Sequence, residues 1–214
     1  MPGRKRGMVF VYIVRCNFNE PEKEQAWNAW YSGPKITQML AKPYFRSCQR
    51  FRLASGNGRD YLALWTVQSP EAFRTREYAS DWGFFEWARN VTDWSRDLFD
   101  GGPASETAFA VAAQGALHVV TFDGMTGKDA DMARAVISES KPCMIWLPVV
   151  GLDRHTSMIG LEPLSDLNGA HRCGGDSGQR VQEAIYRPIS EWYAASMVRQ
   201  APAQRDHAGG SKQG

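Results

Sequence analysis

The chain has 214 residues, 43% hydrophobic and 12% aromatic, enough to bury a sizeable core in one large domain or two small ones. Its 25 basic and 23 acidic residues leave a formal charge of +2, too little for the electrostatic footprint of a nucleic-acid binder. The four cysteines, Cys16, Cys48, Cys143 and Cys173, form no C-x-x-C pair, which argues against a zinc ribbon or a dense disulfide frame and makes a reducing cytoplasm the expected compartment.

Arg4-Lys5-Arg6 followed by the apolar run 8–14 imitates a signal peptide, but the run is short, ends on Arg15 and lacks a small-residue cleavage site. It reads as a buried strand over 8–15, and no segment is long enough to span a membrane. Asn19-Glu20-Pro21 opens a helix with proline in its first turn; the helix breaks at Gly33-Pro34, resumes, and turns at Pro43 into a strand over 44–54. Ser55-Gly56-Asn57-Gly58 predicts a hairpin into a strand over 60–67. Ser69-Pro70 caps a helical region running to about Val91, and a strand near 93–99 completes a βαββαβ ferredoxin-like unit.

The breaker cluster Asp100 to Ser105 separates this unit from a second. There the pattern gives strands at 116–123, 143–150, 156–162 and 180–187 and one helix at 128–139. The second helix is replaced by the Gly-rich stretch 165–178, a candidate lid. The expected fold is therefore α+β, with tandem ferredoxin-like units at 1–100 and 116–198, a linker at 101–115 and a disordered tail at 199–214. The two sheets are expected to pack face to face around a cavity.

Strand alternation then assigns the faces. Val9, Val11 and Ile13 suit helices, which sends Phe10 and Tyr12 into the cavity; aligning Gly7 with Gly115 puts His118 where Phe10 sits. By the same logic Leu62, Leu64, Ile159, Leu161, Val181 and Ile185 face helices. Tyr61, Trp65, Met158, Glu162, Gln182 and Tyr186 then face inward, and Trp146 joins them from an all-apolar strand. The expected site is an aromatic box holding one histidine, one carboxylate and several phenols.

Trp27, Trp30, Tyr31, Lys42-Pro43-Tyr44-Phe45, Cys48-Gln49-Arg50-Phe51 and Tyr61-Leu62-Ala63-Leu64 together resemble the EthD-like branch of the dimeric α/β-barrel superfamily. The resemblance covers about the first hundred residues, and the second half follows it only in element order. It implies small-molecule chemistry that ranges from cofactor-free decarboxylases and monooxygenases of aromatic polyketides to haem enzymes of the chlorite dismutase type. One departure stands out, since Pro34 and Lys35 occupy places where the family usually carries histidine.

His118 is the first choice for general acid or base, with Glu162 as a carboxyl whose pKa burial would raise and Tyr31 as a third candidate at the helix break. Lys35 and Arg50 are expected to meet a substrate anion beside the aromatic lining of Phe10, Tyr12, Trp30, Tyr61, Trp65, Trp146, Met158 and Tyr186. Trp82, Phe84, Phe85 and Trp87 read most simply as core or interface. Gly175-Asp176-Ser177-Gly178 copies part of a serine-protease motif without its histidine segment, and His155, His171 and Cys173 match no standard metal spacing, so no metal is expected. The leading expectation is a cofactor-independent decarboxylase of a phenolic or aromatic carboxylic acid. A cofactor-free monooxygenase or cyclase, a haem protein using His118 or His155, and a non-catalytic binding module are the alternatives. Edge-strand pairing suggests a homodimer.

Overall fold

A computed structural model describes residues 8–166 and 180–200. The first half runs β1 (Phe10–Phe18), α1 (Pro21–Trp30), a π-helical turn (Tyr31–Lys35), α2 (Ile36–Leu40), β2 (Phe45–Gly56), β3 (Tyr61–Val67), α3 (Arg76–Ala79) and β4 (Val91–Asp100). The second runs β5 (Ala116–Asp123), α4 (Gly127–Ser140), β6 (Ile145–Leu152), β7 (Thr156–Leu164) and β8 (Val181–Pro188), followed by the short β9 (Tyr193–Ala194) and α5 (Ala195–Gln200). No described helix is long and apolar enough to cross a membrane. The candidate lid, apart from Ser165 and Asp166, and the tail beyond Gln200 lie outside the described residues.

Among the described residues the strands follow the order β3-β1-β4-β6-β7-β5-β8-β2, and β2 pairs back onto β3. Eight antiparallel strands thus close a barrel, with β9 appended to β2. Each half contributes four strands in ferredoxin-like order, β2-β3-β1-β4 and β6-β7-β5-β8. The seams are β4 against β6 and β8 against β2. Closure within one chain removes the free edges on which the homodimer expectation relied.

The two aliphatic faces, expected to meet helices, instead meet each other. Val11, Ile13, Leu62, Leu64, Leu117, Val119, Ile159 and Leu161 form one buried cluster with Phe51, Phe99 and Tyr186 inside the barrel. An eight-stranded barrel is only wide enough for side chains to fill it, so small branched residues suit its inside. The cavity expected between the sheets is therefore a packed core. The opposite faces carry Tyr12, Tyr61 and Trp65 in the first half and Met158 and Trp146 in the second, and these look outward onto the helical layer.

The helical region expected over 69–91 is broken into a 3-10 turn at Pro70–Arg74, α3, and a second 3-10 turn at Phe85–Trp87. Two successive N-caps explain the first break: the Ser69 hydroxyl accepts from the Glu71 amide and the Thr75 hydroxyl from the Tyr78 amide. Gly83, at φ +101°, makes the second.

Candidate active site

Pro34 sits inside a helix and has no N–H to donate. The backbone accommodates it by widening into a π turn, in which the Ile36 amide reaches the Tyr31 carbonyl five residues back. Tyr31 and Lys35 are both buried on the inner side of this turn. They face the outer surface of β1, β3 and β4, and the space between is a narrow cleft of about 30 Å³, within an envelope of about 380 Å³ that includes the open solvent at its mouth.

Tyr12 and Val14 on β1, Trp65 on β3 and Arg96 on β4 form the floor. Tyr31, Lys35 and Met39 form one side, and Tyr78, Trp82, Gly83, Phe84 and Trp94 close the rest. The walls are largely flat rings; Tyr78 stacks on Trp82 at an interplanar angle of 9°. Trp82 and Trp94 are exposed at the rim.

Two cations enter this aromatic lining, and no carboxylate does. The Arg96 guanidinium lies 4.1 Å from the Trp82 ring centre, donates to the Tyr78 hydroxyl at 3.1 Å, and pairs with Asp153 at 3.3 Å. Lys35 is only 5% exposed, and its Nζ has no hydrogen-bond partner; it lies 4.8 Å from the Phe85 ring centre. The nearby carboxylate of Asp81 is taken by Lys42, at 3.3 Å, and by the Gln38 amide. Burial therefore dominates at Lys35 and brings its pKa down to about 8; Asp81 opposes the shift and Lys42 adds to it. Burial also raises the phenols of Tyr12 and Tyr31 well above their ordinary value, so both stay protonated as donors.

Arg50 does not reach the cleft but supports it. Its buried guanidinium packs 4.9 Å from the Trp27 ring and 4.2 Å from Tyr31. It donates to the Asn28 carbonyl and side chain and to the Ser32 hydroxyl, which ties β2 to the π turn. Tyr61 bonds Asn28 and Glu24; Trp30 packs among Tyr31, Phe85 and Trp87; Phe10 lies at the border of the same core.

The other expected residues lie elsewhere. His118 and Glu162 do meet, at 3.2 Å, but on the outer face of the second half, far from Tyr31. The other ring nitrogen of His118 reaches Glu183 at 2.6 Å, and Lys141 pairs with Glu183 as well. Trp146 and Met158 pack with Phe122 under α4, and Tyr186 stands in the barrel core donating to the Arg59 carbonyl at 2.8 Å. Gln182 pairs across from Thr121 at the barrel's end.

Of the expected residues, the cleft thus gathers Tyr12, Tyr31, Lys35 and Trp65. Arg96, Tyr78 and the Trp82–Phe84 rim were not foreseen as site residues. A haem held by histidine does not fit this cleft. His118 has both ring nitrogens engaged, and His155 contacts Arg59 and Asp123 at one end of the barrel. Among the described residues no cluster of histidine, cysteine and carboxylates could hold a metal ion.

No family model matches this chain, and no curated protein matches it. Solved structures do. An anthrone oxidase-like protein superposes with a TM-score of 0.59 at 11% identity, over 88% of this chain and 93% of that one. A chlorite dismutase from Candidatus Nitrospira defluvii superposes at 0.47 with 10% identity, over 89% and 93%. At such identities the first likeness shows a common α+β barrel fold.

Proposed function

We propose that the cleft binds a flat phenolic or anthrone-type aromatic as its anion and that the protein is a cofactor-free monooxygenase of such compounds, within the EthD-like branch its N-terminal half resembles. One observation carries this reading: a buried lysine amine without a hydrogen-bond partner lines, together with Arg96, an aromatic cleft with no lining carboxylate. Such a site favours a substrate that arrives with an acidic proton and leaves it behind.

The neutral Lys35 amine, with a pKa of about 8, takes the proton from the ring carbon or phenol and becomes the ammonium that pairs with the anion. Arg96 and the protonated phenols of Tyr12 and Tyr31 hold the developing oxygen charge. The electron-rich ring, pressed between Trp65 and Trp82, is then the reductant of molecular oxygen. One oxygen atom enters the substrate and the other leaves as water. The likeness to an anthrone oxidase-like protein agrees with this choice among the reactions the fold hosts. Decarboxylation, the leading expectation from sequence, loses its support because its proton donors, His118 and Glu162, lie in the other half.

The test is incubation with 1,8-dihydroxyanthrone under oxygen-uptake monitoring and mass spectrometry. Oxygen consumption with formation of the quinone supports the reading. Release of CO2 from phenolic acids without oxygen uptake would reinstate the lyase, and tight binding without product would make the protein a carrier.

A further inference from the structure

Two lysines are buried beneath the helical layer of the first half, and their surroundings differ. Lys42 donates to the Glu77 carbonyl at 2.7 Å and pairs with Asp81, whereas the Lys35 Nζ has no hydrogen bond. Nothing competes for the lone pair of its neutral form. The cleft is open to solvent on the side of the exposed Trp82 and Trp94, whose rings touch at a centroid separation of 6.4 Å, and a flat molecule would reach the amine past them.

We propose that Lys35 captures carbonyl-bearing aromatics in this cleft as an imine. The nitrogen lone pair forms the C–N bond while the C=O π pair moves to oxygen. The amine passes one proton through the Tyr31 or Tyr12 hydroxyl to the alkoxide, giving a neutral carbinolamine. Its second N–H proton follows the same relay to the new hydroxyl, which leaves as water while the nitrogen lone pair closes C=N, and the phenol ends protonated as it began. No oxidant or reductant takes part. Dry aromatic walls favour the dehydrated product, and burial of the amine keeps a fraction of it unprotonated near neutral pH. The inference rests on the cleft as a ligand site and not on oxygen chemistry, so either can fail alone.

Burial sets the amine's protonation, opposed by Asp81 and reinforced by Lys42; Tyr31 on its own turn, Tyr12 and Arg96 on the sheet and Tyr78 on α3 line the same cleft. The test treats the full chain with 2-naphthaldehyde and sodium cyanoborohydride, then maps the seven lysines by peptide mass spectrometry. We expect one dominant adduct at Lys35, formed at pH 7 on the order of tenfold faster than at the exposed Lys23 or Lys128, given the larger free-amine fraction of a buried lysine. The rate should rise with pH up to about 8 and level off above it, and the adduct should disappear in Lys35→Arg. Labelling spread over the exposed lysines, with Lys35 no faster than they are, overturns the inference. That result is read from the unmodified sequence and does not depend on any variant folding.

Discussion

Tyr12 and His118 occupy the same place in the two halves of the barrel. Tyr12 lies opposite Trp65 on one side and Leu98 on the other, and His118 lies opposite Glu162 and Ile185. Two residues further along, Val14 faces Arg96 and Val120 faces Glu183. The cationic aromatic floor of the first half is thus replaced, position by position, by an acidic cluster around a histidine. The same backbone carries an aromatic cleft in one half and an ion network in the other.

His118→Ala should therefore leave aromatic binding in the first half within about twofold of the wild type. It should lower stability by about 1–3 kcal/mol, because Glu162 and Glu183 lose a buried hydrogen-bonding partner. Urea denaturation and tryptophan-fluorescence titration measure the two effects. A tenfold loss of ligand affinity with stability intact would return His118 to the site.

Lys35→Met should make the unliganded protein more stable at pH 7, by up to about 3 kcal/mol, while weakening binding of a phenolate at least tenfold. The sign follows from the lowered folded pKa. Between about 8 and 10.5 the unfolded chain holds a proton that the folded chain has released, so wild-type stability rises with pH across that window. The advantage of the methionine variant should be full below pH 8 and shrink toward pH 10.5. Thermal melts of both proteins across this range test it, and a constant gap would count against the shift.

Arg50→Met should cost about 2–4 kcal/mol, and Arg50→Lys should restore little of it. The planar guanidinium both stacks on Trp27 and Tyr31 and donates along its edge to Asn28 and Ser32, which an ammonium does not reproduce. Ligand affinity should fall with it, since the π turn loses its tie to β2. Denaturation with parallel binding titrations would show whether the two losses travel together.

Two glycines separate steric need from tolerance. Gly56 has φ +89°, and a Cβ there would stand 2.3 Å from the Glu183 carbonyl oxygen across the β2–β8 seam, so Gly56→Ala should cost at least about 2 kcal/mol. At Gly33 an added methyl group would meet nothing within 4 Å, so Gly33→Ala should be neutral or stabilise by up to about 1 kcal/mol. Chemical denaturation of the pair settles the contrast.

Strand positions were readable because breakers and alternation agree locally; the reading of 116–123 coincides with β5. Which face turns inward was not readable. Both faces of β1 are apolar, so period two yields two sets of residues without saying which is inside, and assigning the rings to the interior inverted β1, β3, β5 and β7 while leaving Tyr186 on β8 correctly inside. Side-chain width decides the matter, and only barrel closure makes width decisive. Lys35 could be found because a charged residue beside a helix break is conspicuous. Arg96 sits in a strand whose neighbours Asp93, Ser95 and Asp97 hide its partnership with Tyr78, a contact made only in three dimensions. Aligning Gly7 with Gly115 matched His118 to Phe10, two residues from its true counterpart, because ladder register is set by partner strands and not by the glycines before them.

The place of β8 in the ring has a consequence for how the protein is made. Ser55 on β2 finds its ladder partner in Ile185, 130 residues further along the chain. During synthesis β2 therefore presents an open hydrogen-bonding edge until β8 has followed it. Such an edge is a template for pairing with the wrong chain, and long-range closure of this kind is slow. The yield of native protein should depend on how quickly β8 follows β2, so slowing translation between them should favour aggregation over closure.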